Sequence, residues 1–91
     1  MSKIFVGLIT EAERDEIQSI YYKKTAVQEV LPLIDPNNIE LYDKAIEDLA
    51  LADQAMAEWW QRISAHYGWN YDENYGWRVD FFTKELTILK L

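Results

Sequence analysis

The fold is decided by residues 39–67, IELYDKAIEDLALADQAMAEWWQRISAHY, which contain neither glycine nor proline. Apolar side chains recur through this stretch at intervals of three and four residues, the spacing of one face of an α-helix. Gly68 follows directly, and a glycine just past the last apolar position is a typical helix C-terminal cap. The pattern predicts a helix of roughly 28 residues, about 42 Å long.

A shorter helix precedes this one and begins at a capping box, TEAE, at 10–13. In such a box the Thr10 hydroxyl accepts from the backbone N–H of Glu13, and the Glu13 carboxylate accepts from the N–H of Thr10. Apolar positions then follow one helical face as far as Leu31, where Pro32 ends the helix. Two helices joined by a short connector predict an antiparallel helical hairpin.

Trp59 and Trp60 lie in the C-terminal part of the second helix. Because this helix is the longer by about two turns, we expect its last turns to extend beyond the cover of the first helix. Adjacent helical residues point about 100° apart, so both rings are not expected to enter the same core. One ring should pack under the first helix and the other under a sheet. The alternative is an exposed ring that anchors an interface.

Strands are predicted at both ends of the chain. Residues 2–9, SKIFVGLI, are short, apolar and partly β-branched. Residues 77–89, WRVDFFTKELTIL, alternate with period two and predict a hairpin with a tight turn at Thr83-Lys84. The fold class is therefore α+β, a single domain over 1–91. An antiparallel helical hairpin with a long second helix packs with a small, mainly antiparallel sheet made of the N-terminal strand and the C-terminal hairpin.

Composition limits the possible functions. The chain is 49% hydrophobic and 14% aromatic, which favours a folded domain, and it has no cysteine. Without cysteine there is no disulfide framework, thiolate metal site or cysteine nucleophile. The N-terminal apolar run is too short for a signal peptide, and no stretch approaches the roughly 20 apolar residues of a membrane span. These features predict a cytoplasmic protein that does not bind a membrane.

Negative charge is concentrated in residues 35–58, which hold seven acids and one lysine and so carry −6 of the net −7. This sign disfavours direct binding to nucleic acid or to an anionic membrane. It permits a basic protein partner, with Asp43 and Glu47 as candidate contacts. The ordinary alternative is a solvated helix face.

No pattern of catalytic or metal-binding residues is found. His66 is the only histidine, and the positions one turn before it are Arg62 and Ile63. None of the serines lies in a nucleophile motif, and the three glycines are isolated rather than grouped in a phosphate loop. We therefore predict a protein that is not an enzyme, with no cofactor and no metal, in which His66 complements the helix dipole.

The strongest functional lead is aromatic. Nine of the thirteen aromatic residues fall between positions 59 and 82, and residues 69–76, WNYDENYG, place aromatics in a polar stretch. Tyrosine-rich polar loops recur at recognition surfaces because tyrosine gives a large contact area at low entropy cost. The alternative is a structured loop that folds back on the helices. The candidate partner-binding residues are Trp69, Tyr71, Asp72, Glu73 and Tyr75, with Asp43 and Glu47.

Three stretches resemble a small accessory protein found with radical-based peptide-modifying enzymes that process ribosomally made peptides. They are LITEAERDEIQSIYYKKTAVQEVL at 8–31, WWQRISAHYGW at 59–69 and WRVDFFTKELTI at 77–88. The CXXX-repeat peptide modification type is the most similar, with splicease partner proteins as a neighbouring possibility. The resemblance implies a non-catalytic partner that binds the modifying enzyme, its precursor peptide, or both, and it transfers no catalytic residue.

Other functions remain open at this point. The acidic segment permits an inhibitor or decoy of a nucleic-acid-binding enzyme, in a phage or defence context. Such a protein would bind in a strongly salt-dependent way. A small stand-alone enzyme is disfavoured because a domain of this size rarely encloses a suitable pocket. A homo-oligomer is possible, because the long second helix could pair with a copy of itself.

Overall fold

A computed structural model describes residues 2–90 as two helices and a three-stranded sheet. The elements are β1 (Ser2–Leu8), α1 (Glu11–Val30), a 3-10 turn (Leu31–Leu33), α2 (Ile39–Tyr67), β2 (Gly76–Val79) and β3 (Glu85–Lys90). The strand order is β1-β3-β2, and both pairings are antiparallel. The predicted α+β fold, with a helical hairpin and a long second helix, is confirmed.

Both predicted helix caps are present. The Thr10 N–H donates to Glu13 Oε1 at 2.8 Å, and the Glu13 N–H donates to Thr10 Oγ1 at 3.1 Å. At the end of α2, Gly68 has a left-handed φ of 73°, which a residue without Cβ adopts at little cost. Its N–H donates to the carbonyl of Ser64. These local signals fix where each helix begins or ends.

The antiparallel alignment of α1 and α2 is fixed by pairs of side chains. Two pairs tie the first turns of α1 to the last turns of α2, and one lies farther along: Tyr67 with Glu13, Arg62 with Glu16, and Lys24 with Asp53. The start of α1 therefore lies beside the end of α2. The unmatched turns of α2 are at its N-terminus, beside the connector, where Ile34 and Ala45 are buried.

This alignment corrects the expectation that the last turns of α2 extend past the first helix. The residues of concern, Trp59, Trp60 and Ile63, lie beside the N-terminal half of α1. The physical reason is the difference in loop length. Only two residues separate β1 from α1, whereas the eight residues 31–38 connect α1 to α2. The longer connection therefore accommodates the extra turns of α2, which lie at the connector end of the hairpin.

The core lies where the helical hairpin meets the sheet. Its buried side chains are Ile9, Ile17, Trp59, Trp60, Ile63 and Leu86. The rings of Trp59 and Trp60 meet edge to face, with centroids 4.9 Å apart, so the expectation of separate cores is wrong, as is the exposed-ring alternative. Trp60 also contacts Trp77 of β2, as expected for a ring under the sheet. A core bounded by both α1 and the sheet is wide enough to hold two side chains that point about 100° apart.

The connection between β2 and β3 also differs from prediction. It spans the five residues 80–84 rather than a two-residue turn at Thr83-Lys84. Asp80 Oδ1 accepts from the backbone N–H groups of Phe82 at 2.9 Å and Thr83 at 3.0 Å, and Lys84 has a φ of 62°. Asp80 thus supplies turn-forming hydrogen bonds that end the strand before the period-two pattern does. Phe81 and Phe82 consequently lie in the loop.

Candidate interaction surfaces

Trp69 of the predicted aromatic loop packs inward. Its ring stacks on Tyr67, with centroids 4.5 Å apart, and is half-buried. The ring also lies over Gly7 of β1, where an added Cβ would stand only 2.7 Å from it. The close approach of Trp69 therefore depends on a glycine 62 positions away. Packing of the loop onto the domain accounts for this residue.

Tyr71 also folds back onto the domain. Its ring stacks on Trp60 with a centroid distance of 5.1 Å and an interplanar angle of 8°, and it lies 5.3 Å from the ring of Trp77. Burial, followed by the negative charges of Glu73 and Asp72, raises the pKa of the Tyr71 hydroxyl. This hydroxyl is therefore harder to ionise than that of an ordinary tyrosine.

The polar residues of the loop border an open cavity of about 490 Å³ between the loop and α2. Tyr71, Asp72 and Glu73 meet there, and Tyr75 is exposed. Asp72 Oδ1 is engaged within the loop, because it accepts from the backbone and side-chain N–H groups of Asn74, each at 2.9 Å. The structure thus brings three of the five loop candidates together.

Asp43 and Glu47 do not join this loop. Both are exposed on the N-terminal half of α2. Glu47 lies 20 residues before Tyr67, the last residue of that helix, which corresponds to about 30 Å along the axis. The seven candidate residues therefore belong to two separate regions rather than to one site.

A third surface was not predicted, and its members come from α1 and from the loop between the last two strands. The aromatic surface consists of Tyr21, Tyr22, Phe81 and Phe82. The Phe81 ring lies 5.6 Å from Tyr21 and 6.4 Å from Tyr22, and the two tyrosine rings are 6.2 Å apart. Both tyrosines are exposed, and Phe82 is 92% exposed. Three aromatic rings thus meet at the protein surface, and Phe82 of the same loop extends into solvent next to them in the chain.

The loop that carries the two phenylalanines is held by hydrogen bonds. The Arg14 guanidinium donates to the Phe81 carbonyl at 2.7 Å, which ties the loop to α1. The backbone N–H groups of Thr83 and Phe82 donate to the Asp80 carboxylate and hold its pKa below the ordinary value. Phe82 therefore extends into solvent from a loop whose backbone is held by hydrogen bonds at both neighbouring residues, Phe81 and Thr83.

At the junction between the start of α1 and the end of α2, the Glu13 carboxylate accepts hydrogen bonds from the Thr10 N–H and the Tyr67 hydroxyl. Burial acts to raise the pKa of Glu13, but hydrogen bonds from the Thr10 backbone, the Tyr67 hydroxyl and the Thr10 hydroxyl, with the nearby His66, lower it below 4.5. The same contact with Glu13 raises the pKa of Tyr67. Glu13 thus fastens α2 to the start of α1 in its ionised form.

Replacement of Glu13 by glutamine is expected to lower the free energy of unfolding at neutral pH. It should also make that free energy depend less on pH in the acid range. A carboxyl group whose pKa is lowered by folding stabilises the protein above its unfolded pKa, and this contribution disappears as the pH falls through the folded pKa. The gap in free energy of unfolding between the wild type and Glu13→Gln should therefore shrink as the pH falls from neutrality through the acid range. Urea denaturation at each pH measures it.

The matched control for that measurement is Glu11→Gln, which removes the same charge from the same exposed first turn of α1. Its gap from the wild type should vary less with pH than that of Glu13→Gln. An equal pH dependence in the two variants would contradict the assignment of Glu13 as the fastening group.

Among residues 2–90, no three His, Asp or Glu side chains stand close enough together to hold a metal ion. His66 is exposed in the last turn of α2, beside the Tyr67 ring at 4.8 Å, a position that suits the negative end of the helix dipole. Neither helix in this range combines the length and apolarity that crossing a bilayer requires. Comparisons of the chain with protein-family models, curated proteins and solved structures found no match.

Proposed function

We propose that this chain is a non-catalytic accessory protein of the cytoplasm that binds a larger, radical-type peptide-modifying enzyme, its precursor peptide, or both. The aromatic surface is the observation that carries the proposal of a binding role. The class of partner comes from the resemblance of the three stretches described above. No step of a reaction is assigned to this chain.

The physical argument concerns the cost of leaving aromatic rings in water. Burial of apolar area is favourable by about 25 cal/mol per Å². A partner that covers an exposed phenylalanine such as Phe82 would therefore be stabilised by the burial of its ring. The hydrogen bonds of Arg14 and Asp80 hold its backbone before any partner arrives. A loop that is already ordered loses less entropy on binding, which favours affinity.

An acidic decoy of a nucleic-acid enzyme is less well supported. The acid-rich side of α2 is interrupted by an exposed apolar side chain, Leu51, which follows Glu47 by one helical turn. One of its acids, Asp53, is paired with Lys24 at 2.8 Å. A surface that imitates a phosphate backbone needs a row of unpaired charge, whereas the exposed surface of α2 mixes charged and apolar side chains.

Capture of partners by tagged protein in the native host tests the proposal. The double variant Tyr22→Ala/Phe82→Ala removes the two most exposed rings of the aromatic surface. If either ring is a binding hot spot worth at least about 2 kcal/mol, affinity for the true partner should fall by a factor of about 30 or more, and recovery should fall with it. Quantitative mass spectrometry measures the ratio between variant and wild type.

The matched control is Leu33→Ala, a truncation at an 83% exposed position outside the aromatic surface. It should retain full recovery. A peptide-modifying enzyme or its precursor peptide, lost only with the double variant, would support the proposal. Equal recovery with all three proteins would contradict the aromatic surface as the binding site. Capture of only a nucleic-acid enzyme, released by salt, would favour the decoy.

A further inference from the structure

The two helices leave an apolar groove along one side of the hairpin. This helix groove has a volume of about 490 Å³, and its lining includes Ile20, Lys23, Val27, Asp48, Leu51 and Ala52. A second hollow of about 230 Å³ shares Val27 and Asp48 with it and continues to Ile34 in the connector. Every lining residue belongs to the helices or to that connector, so the groove is separate from the sheet.

The chain also has more surface than its mass requires. Its accessible area is 6626 Å², whereas a compact monomer of 10.8 kDa exposes about 5,500 Å². Its radius of gyration is 15.4 Å, against about 12 Å for a compact domain of this length. The excess of about 1,100 Å² exceeds the roughly 800 Å² that each partner buries in a standard interface. The elongated chain, 46 × 29 × 22 Å, therefore has enough additional surface to form an interface of standard size.

The charges in the groove indicate which protein fits. Two lysines and one aspartate line the helix groove and its continuation: Lys23, Lys44 and Asp48. A two-fold axis places the same patch opposite itself, so a patch that carries both signs of charge can set opposite charges against each other. A strongly basic partner would meet the two lysines of this lining. Because Lys23 and Asp48 line the same groove, a two-fold axis through it can set Lys23 of one chain against Asp48 of a second copy.

We propose that the helix groove is the interface of a symmetric homodimer in which two helical hairpins form a four-helix bundle. Leu51 is 56% exposed on the rim of the groove, and small side chains beside it, Ala52 and Ala55, leave room for the same leucine of the second copy. Antiparallel hairpins that pack in this way are a common bundle architecture. The aromatic surface shares no residue with the groove, so each dimer presents two aromatic surfaces, and binding to a partner with repeated sites gains from avidity.

Sedimentation equilibrium of the purified chain tests the dimer. The wild type should approach about 22 kDa, twice the 10.8 kDa of one chain. Leu51→Glu buries two new charges at the interface and should weaken the dimer about 100-fold or more. The matched control, Leu33→Glu, places the same charge outside the groove and should remain dimeric. Circular dichroism confirms that both variants are folded.

A second experiment tests the choice of a second copy directly. Lys23→Glu and Asp48→Lys should each be monomeric alone, because each then sets like charges against one another across the two-fold axis. An equimolar mixture of the two variants should regain a dimer. A wild type that stays monomeric at all soluble concentrations would overturn the proposal. So would a dimer insensitive to Leu51→Glu, or a mixture that stays monomeric.

Discussion

Replacement of Trp59 by alanine is expected to lower the free energy of unfolding by about 3–5 kcal/mol. Trp59 is 1% exposed and lies in the core cluster, edge to face with Trp60. Its removal leaves a large cavity in a core formed by few side chains. Domains are stabilised by about 5–15 kcal/mol in all, so this variant should be close to unfolding at room temperature.

Urea denaturation followed by circular dichroism measures this loss, and Trp59→Phe provides the informative control. The indole Nε1 of Trp59 is buried and has no hydrogen-bond partner among residues 2–90. Phenylalanine keeps much of the ring volume and removes that unsatisfied N–H, so it should cost much less than alanine. A loss below about 1 kcal/mol for Trp59→Ala would contradict the central position given to this side chain.

Replacement of Leu86 by alanine is expected to cost about 2–5 kcal/mol. Leu86 is fully buried, with no exposed surface, and lies on β3, the central strand. Its neighbours across the sheet are Val79 on β2 and Gly7 on β1. Because Gly7 has no side chain to move into the space, the cavity left by the truncation cannot be filled from β1.

Leu33→Ala is the matched control for Leu86→Ala, since it makes the same change at a position that is 83% exposed. It should change stability by no more than about 0.5 kcal/mol. Thermal and urea denaturation of both variants give the comparison. Similar losses in the two variants would contradict the placement of the core beneath β3.

The parts of the fold that were predictable are those set by local chemistry. The capping box at Thr10 and the glycine at 68 satisfy backbone groups within one turn, so their sequence spacing is sufficient to locate them. The uninterrupted three–four spacing of 39–67 gave the length of α2 for the same reason. The order of the strands, by contrast, depends on contacts between the two ends of the chain.

The errors arose where distant contacts or side-chain hydrogen bonds outweigh periodicity. The Asp80 carboxylate accepts hydrogen bonds from two backbone N–H groups and ends β2 early, although the alternating pattern continues through Phe81. Trp59 and Trp60 share one core because α1 and the sheet enclose the same part of α2. A single helical wheel cannot show how wide that enclosure is.

The candidate site was only partly accessible from sequence. Trp69 and Tyr71 were chosen as aromatics in a polar loop, but their packing depends on Gly7 and Trp60, which the loop pattern does not reveal. The aromatic surface needs α1 and the 80–84 loop to meet, some 60 residues apart in the chain. Its available signal was Asp80, a residue type that favours turns, directly before two adjacent phenylalanines.

Photocrosslinking from position 82 tests the central claim most directly, because the probe replaces the side chain proposed to touch the partner. A benzophenone amino acid at Phe82 should, on irradiation in the native host, form one dominant adduct with a peptide-modifying enzyme or its precursor peptide. The same probe at Leu33 should not form that adduct. No adduct at position 82, or the same adducts from both positions, would contradict the account.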